Sequence, residues 1–170
     1  MRVRYPTTAV CHELLFPLIR ENMSTLEPAP QYQDERRGID RLESIFTLMQ
    51  RDDYPDLLHK AAYLFCSAID GHPFSNGNKR LAVALLTYFL LMNGQRVVAP
   101  KMDAVRQELH RFFPHLRWED VQAFRYPHEY FFYHLALVIA DRNQKGKLNF
   151  RQEQEAVVQL LGFISAKKNR

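Results

Sequence analysis

Apolar residues recur along this chain at steps of three and four, and that period predicts helices almost throughout. Val10, Leu14, Leu15, Leu18 and Ile19 mark a helix over residues 7–22. Residues 24–37 are polar, contain Pro28 and Pro30, and read as a loop. The helical pattern resumes from Ile39 to Gln50 with Leu42, Ile45, Phe46 and Met49. Asp52-Asp53-Tyr54-Pro55 interrupts it and supplies an acidic helix start. Leu57, Leu58, Ala61, Ala62, Leu64, Phe65, Ala68 and Ile69 then follow at helical steps up to Gly71. The segment from Asn76 to Met92 is apolar on nearly every side, and a helix without a polar face is expected at the centre of a bundle. Asn93-Gly94 is a stop, since both residues tolerate the left-handed conformation. Val97 to Pro100 reads as an extended segment. Helices over 102–113, 127–142 and 151–167 complete the chain, and Lys167 to Arg170 reads as a frayed end. No period-two alternation is long enough for a sheet, and no internal repeat is evident. The expected class is all-α: a compact bundle around a central apolar helix, with residues 1–100 as the core and 101–170 as a helical extension packed on the same domain.

The 170 residues suffice for one core without covalent staples. With 46% hydrophobic and 25% charged residues the composition is that of an ordinary globular protein. Cys11 and Cys66, each in an apolar helical context, build neither a disulfide framework nor a thiolate metal site. They point to a reducing cytoplasm. The start, Met1-Arg2-Val3-Arg4-Tyr5-Pro6, has no secretory h-region, and the longest apolar run, Leu81 to Met92, is too short to span a bilayer. No membrane partner is expected. A formal charge of +4 is compatible with ATP, an acidic partner or nucleic acid, and equally with a solubilising surface.

Chemistry concentrates in His72-Pro73-Phe74-Ser75-Asn76-Gly77-Asn78-Lys79-Arg80, between two strongly apolar helices. Ser75 or Asn76 can N-cap the second helix. Gly77 and Asn78 then fall in its first turn, where amide groups lack intrahelical acceptors and the helix dipole is positive. Together these form an anion site, and Gly77 lets a phosphate approach the backbone. Lys79 and Arg80 stand at the end of the helix where positive charge opposes the dipole, a conflict that a bound anion resolves. His72 stands beside this site, and an imidazole suits proton abstraction from a hydroxyl near neutral pH. Phe74 is expected to point into the core and fix the loop. The bland alternatives are a structural histidine, a surface ion pair for Arg80 and a second cap residue at Asn78. An anion site, two cations and an imidazole in nine residues favour a functional site over all three.

The same nine residues resemble the signature of the Fic/Doc (Fido) family, His-x-Phe-x-acid/Asn-Gly/Ala-Asn-Gly/Lys-Arg, at each of its fixed positions. Leu42-Glu43-Ser44 is similar to the family's upstream Leu-Glu-Ser segment. Tyr54 to Ile69 resembles the helix before the motif, and Leu85 to Gly94 the helix after it. The resemblance covers about residues 5–100 and leaves the last third unmatched. It implies a helical bundle with the motif between two central helices. It implies transfer of a phosphoryl or AMP group from ATP to a Ser, Thr or Tyr hydroxyl of a target protein. His72 corresponds to the general base and Phe74 to the loop's core anchor. Gly77, Asn78 and Arg80 correspond to phosphate-binding residues, Lys79 to the variable position beside them, and Asn76 to the acid that holds Mg²⁺.

Two departures alter what is implied. Asn76 is neutral where Asp or Glu is commoner, and an amide holds Mg²⁺ less well than a carboxylate. Lys79 replaces the Gly of adenylyl-transferring members and resembles the Doc-like toxin branch, which favours γ-phosphoryl transfer. The family's inhibitory motif, Ser/Thr-x-x-x-Glu-Gly/Asn, has its nearest counterpart at Glu21-Asn22, but Pro17 stands where Ser or Thr belongs. The chain is therefore expected to lack self-inhibition and to be controlled by a separate antitoxin-like partner.

Other chemistries fit less well. His12-Glu13 and His128-Glu129 lack the second histidine of a zinc protease, because Phe16 and Phe132 stand there. Gly71 to Lys79 has the wrong spacing for a Walker loop. Tyr126, Tyr130, Phe131, Phe132 and Tyr133 could stack bases, but at helical spacing they read as core. Arg106, Arg111 and Arg117 form no recognised nucleic-acid reading module, and nucleic acid is not an expected partner. The rival of a different class is a protein-binding module that keeps the scaffold and has lost chemistry through Asn76.

Overall fold

A computed structural model describes residues 2–23, 28, 30–98, 100–115, 124–141 and 146–167. Among these residues the chain forms seven helices and one small two-stranded sheet. Helix α1 runs in three pieces without a break, an α-helical turn Thr8–Val10, a π-helical turn Cys11–Leu15 and an α-helix Phe16–Asn22. A 3₁₀ turn, Tyr32–Asp34, leads into α2, Arg36–Leu48. Then follow α3, Leu57–Asp70, and α4, Asn78–Met92. After strand β1, Gln95–Val97, come α5, Met102–Phe112, α6, Pro127–Ala140, α7, Phe150–Ile164, and strand β2, Ser165–Lys167.

The helix surrounded by the others is α3. Every residue from Lys60 to Ile69 is buried, and α2, α4, α6 and α7 all pack against it. The apolar Asn76–Met92 segment, expected at the centre, forms the helix next to it: α4 starts at Asn78, packs on α1, α3, α6 and β1, and leaves Leu91 56% exposed. Both helices are apolar enough for the central place. The difference is α7, which returns from the far end of the chain and lies along α3. Asp56 caps α3 by accepting the His59 N–H at 3.0 Å. The buried Lys60 reaches back to the end of α2, where its ammonium donates to the carbonyls of Met49 and Arg51 at 3.2 and 3.1 Å. It thus satisfies carbonyls that the helix leaves open.

The last expected helix, 151–167, stops at Ile164. Ser165–Lys167 turns into β2 and pairs antiparallel with β1, in the register Gln95↔Lys167, Arg96↔Ala166, Val97↔Ser165. The extended segment therefore lies two residues earlier than the reading at Val97–Pro100. It finds a partner too short to leave a periodic signal. Tyr130, Phe131 and Phe132 are core residues, whereas Tyr126 and Tyr133 are exposed. Arg117, Arg142 and the end beyond Lys167 lie outside the described residues.

One continuous apolar cluster joins α1 to α7. Inside it Cys11 and Cys66 are both free, and burial pushes the Cys11 thiol up to about 12 and the Cys66 thiol well above its ordinary range. Behind the start of the loop that follows α3, Glu153 of α7 is 2% exposed and pairs with Lys147, whose ammonium also donates to the Ile139 carbonyl at 2.8 Å. Burial pushes the Glu153 carboxyl up to about 7; Lys147 opposes that shift and the Asp70 carboxylate adds to it. No helix among the described residues is long and apolar enough to cross a membrane.

Candidate active site

Residues 71–77 carry the chain from the buried α3 to the start of α4. His72 is exposed and holds φ at +40°, the one non-glycine residue with positive φ among those described. It also precedes Pro73, and proline disfavours helical dihedrals in the residue before it. Such a conformation costs on the order of 1–3 kcal/mol and persists only where the surroundings enforce it. Here the His72 amide donates to the Ile69 carbonyl at 3.3 Å, and its own carbonyl accepts from the Arg41 guanidinium at 3.1 Å. Two residues on, Phe74 is buried at 2% exposure, edge-on to Tyr32 at 5.0 Å and to Phe16 at 6.0 Å. Gly38 of α2 makes room for it: a Cβ there would stand 2.4 Å from the ring and 2.9 Å from the Pro73 carbonyl oxygen.

Asn78 closes the loop from inside. Its Oδ1 accepts the Phe74 N–H at 3.0 Å and its Nδ2 donates to the Phe74 carbonyl at 2.8 Å, both buried. The side chain therefore faces the loop's interior, and what Asn78 offers a phosphate is its backbone amide. Glu35, just ahead of α2, grips the loop from the other side. Its two carboxylate oxygens accept the Ser75 N–H at 2.8 Å and the Ser75 hydroxyl at 2.7 Å. Neither Ser75 nor Asn76 caps α4. The N-cap is Gly77, at φ +74° and with no side-chain cap bond, which leaves the first-turn amides without a side-chain acceptor from the cap.

The expected phosphate ligands are brought together at this helix start, but several are engaged within the chain. The Gly77 N–H donates to the Asn76 Oδ1 at 2.6 Å, and the Gly77 carbonyl accepts from the Tyr32 hydroxyl at 2.9 Å. A Cβ on Gly77 would stand 2.3 Å from the Tyr32 hydroxyl and 2.8 Å from the Pro30 ring. The bare Cα thus admits the chain's own residues on the face that was expected to admit a phosphate. Arg80 donates to the carbonyls of Met23 and Pro28 at 3.0 and 3.2 Å. Lys79 is exposed.

The model of the Fic/DOC family matches residues 10–90. Over these residues the chain carries a Fic/DOC-family domain. Domains of this kind are in general transferases of nucleotide-derived groups. No curated protein and no solved structure matches the chain.

The matched region of the Fic/DOC domain runs from α1 into α4 and so includes the whole loop with its supports. The loop opens on a cleft of about 480 Å³ that reaches from His72 and Ser75 to Glu35, Arg36, Arg37 and Arg41. Exposed imidazole, cationic wall and helix start lie side by side, an arrangement able to accept a proton and bind anions. Burial, chiefly, pushes the Tyr32 phenol up to about 12, so it donates to Gly77 as a neutral hydroxyl. At the position expected to hold a divalent cation, Asn76 offers one amide oxygen, already engaged by the Gly77 N–H, where a carboxylate would be the stronger ligand. Glu35, Tyr32, Gly38 and Arg41 were not legible from the sequence, because each acts on the loop across more than 30 residues. Glu35 had the only faint local signal, an acid next to the start of α2 that could have been tested as a cap.

Proposed function

We propose that the Fic/DOC domain transfers a phosphoryl or AMP group from ATP to a Ser, Thr or Tyr hydroxyl of a target protein in the cytoplasm. The observation that carries this reading is the exposed His72, held in a strained backbone conformation beside the first turn of α4. His72 takes the proton of the acceptor hydroxyl as that oxygen attacks phosphorus. The opposite bond to phosphorus breaks in line, releasing ADP if the γ-phosphoryl group moves and pyrophosphate if AMP moves. Lys79, Arg80 and the amides of the N-cap Gly77 and the first-turn Asn78 hold the phosphates, with catalysis by position and charge. For Arg80 this exchanges the carbonyls of Met23 and Pro28 for charged phosphate oxygens, which make the stronger hydrogen bonds. Gly77 likewise exchanges the Asn76 oxygen for phosphate. Phe74 keeps the loop seated throughout. Lys79 favours phosphoryl transfer over adenylylation, as in the Doc-like branch. Asn76 fits Mg²⁺ poorly, and no step is assigned to the metal.

A second reading, a protein-binding module without chemistry, is favoured by the internal bonds of Gly77 and Arg80 and by the neutral Asn76. One experiment separates the two. The protein and its His72→Ala variant are incubated in cell lysate with Mg²⁺ and ATP labelled at the α- or γ-phosphate. His72-dependent γ-label on a protein supports phosphoryl transfer, and α-label supports adenylylation. Absence of any His72-dependent label overturns the enzymatic reading. Residues 101–170 then stand as a binding surface rather than a helical extension of the enzyme. We further propose a toxin held in check by an antitoxin-like partner. Expression of the wild-type chain alone, at high yield and without growth arrest, overturns that part.

A further inference from the structure

The arginine-lined cleft beside His72 has a role that the nucleotide does not fill. Arg36 and Arg37 open α2, and Arg41 stands one turn further along; all three are exposed on the cleft wall. The carboxylate that shares the wall, Glu35, is occupied by the Ser75 N–H and hydroxyl. Among the described residues no carboxylate pairs with Arg36, Arg37 or Arg41. Arg41 gives one donor to the His72 carbonyl and retains the rest of its guanidinium. The cleft is therefore cationic, with three guanidinium groups against the one carboxylate of Glu35 and no ion pair to them among the described residues.

Position tells what belongs there. The cleft lining ends at Ser75 and excludes Gly77 to Arg80. In an in-line displacement the attacking and leaving oxygens lie on opposite sides of phosphorus. With the phosphates on the first turn of α4, the side that carries the base is the side from which the acceptor hydroxyl arrives, and His72 lines this cleft. We propose that the cleft is the target-docking subsite and that Arg37 and Arg41, with Arg36 at the rim, select an acidic segment flanking the acceptor hydroxyl. This rests on the assignment of His72 as base. Guanidinium groups bind carboxylates through paired hydrogen bonds. Side chains four apart on a helix lie about 6 Å apart, and alternate side chains of an extended peptide about 6.6 Å apart. Arg37 and Arg41 thus match two acidic side chains at positions i and i+2 of an extended target.

The test needs neither turnover nor the natural target. Three fluorescent nine-residue peptides share a central Tyr and carry Glu, Gln or Lys at alternate flanking positions; their binding to the full chain is followed by anisotropy without nucleotide. The Glu peptide is expected to bind at least about tenfold more tightly than the Gln peptide, with the gap closing as salt is raised. R37E/R41E should reverse the preference towards the Lys peptide. R36Q/R37Q, which leaves the Arg41 bond to the loop untouched, should reduce the gap, and thermal unfolding checks that both variants fold. Equal binding of the Glu and Gln peptides by the wild-type chain overturns the proposal. So does loss of ATP binding by R37E/R41E with peptide preference intact, which would make the cleft a phosphate site. A wild-type preference for the Glu peptide that the variants abolish, with no His72-dependent label in lysate, would sink the enzymatic reading while leaving an acidic-peptide site in place.

Discussion

Asn78→Ala removes the clasp that closes the loop. In the folded chain both polar atoms of Asn78 are bonded to the backbone of Phe74, at 3.0 and 2.8 Å, in a buried position. Alanine leaves the Phe74 N–H and carbonyl without those partners. An orphaned buried polar group costs about 1–3 kcal/mol, so two cost about 2–6 kcal/mol before relaxation. Phe74 itself is pinned by Gly38, Phe16 and Tyr32, so its backbone has little room to turn towards water. A loss of about 3 kcal/mol is expected. In a domain of this size each 1 kcal/mol shifts the midpoint by roughly 2–4 °C, so Tm should fall by about 6–12 °C. Asn78→Asp keeps the acceptor for the Phe74 N–H but sets a carboxylate oxygen against the Phe74 carbonyl in place of a donor. It too should be destabilised. The assay is thermal unfolding followed by circular dichroism, with a second probe to check two-state behaviour. An Asn78→Ala midpoint within about 2 °C of wild type would refute the clasp.

Three further perturbations test other supports of the site. Gly38→Ala sets overpacking of about 1–3 kcal/mol against a helix-propensity gain of about 1 kcal/mol. The obstruction includes the Pro73 carbonyl as well as the Phe74 ring, so Tm should fall by about 2–4 °C, and a rise would contradict the packing. Tyr32→Phe removes the hydroxyl bond to Gly77 but keeps the ring stack with Phe16 at 4.9 Å, and the Gly77 carbonyl still accepts from Leu81. The cost should be only about 0.5–1.5 kcal/mol in urea unfolding, and a loss several times larger would mean that the hydroxyl does more than bond Gly77. For Glu153 the folded carboxyl is raised from 4.5 to about 7, so the folded chain holds a proton that the unfolded chain releases. Its contribution is complete below about pH 4.5 and is lost as pH rises towards 7. Glu153→Gln, neutral throughout, should lose less stability than wild type between pH 5 and pH 7.5; parallel urea-unfolding losses for the two proteins would reject the assignment.

The helices, their approximate ends and the candidate loop were legible because each rests on neighbours in the chain. Helical period, the stop at Asn93-Gly94 and the mismatch of Lys79 and Arg80 with the dipole are interactions within one or two turns. The all-α class and the Fic/DOC domain follow from such local features. Contacts between distant segments decided the rest. Two apolar helices share the middle of the bundle, and α3 is the more fully buried because α7 packs on it. A three-residue strand after α7 has no meaning until β1 is beside it. Asn78 turns inward because Phe74, four residues earlier, is drawn into a pocket shaped by Gly38, Phe16 and Tyr32. Glu35 holds Ser75 across 40 residues, and the arginines of α2 become the wall of a cleft only when that helix meets the loop. Periodicity and capping act over a few residues and leave their mark in the order of the amino acids. Burial, partner choice and the charge of a cleft depend on which surfaces meet, and only the folded chain settles that.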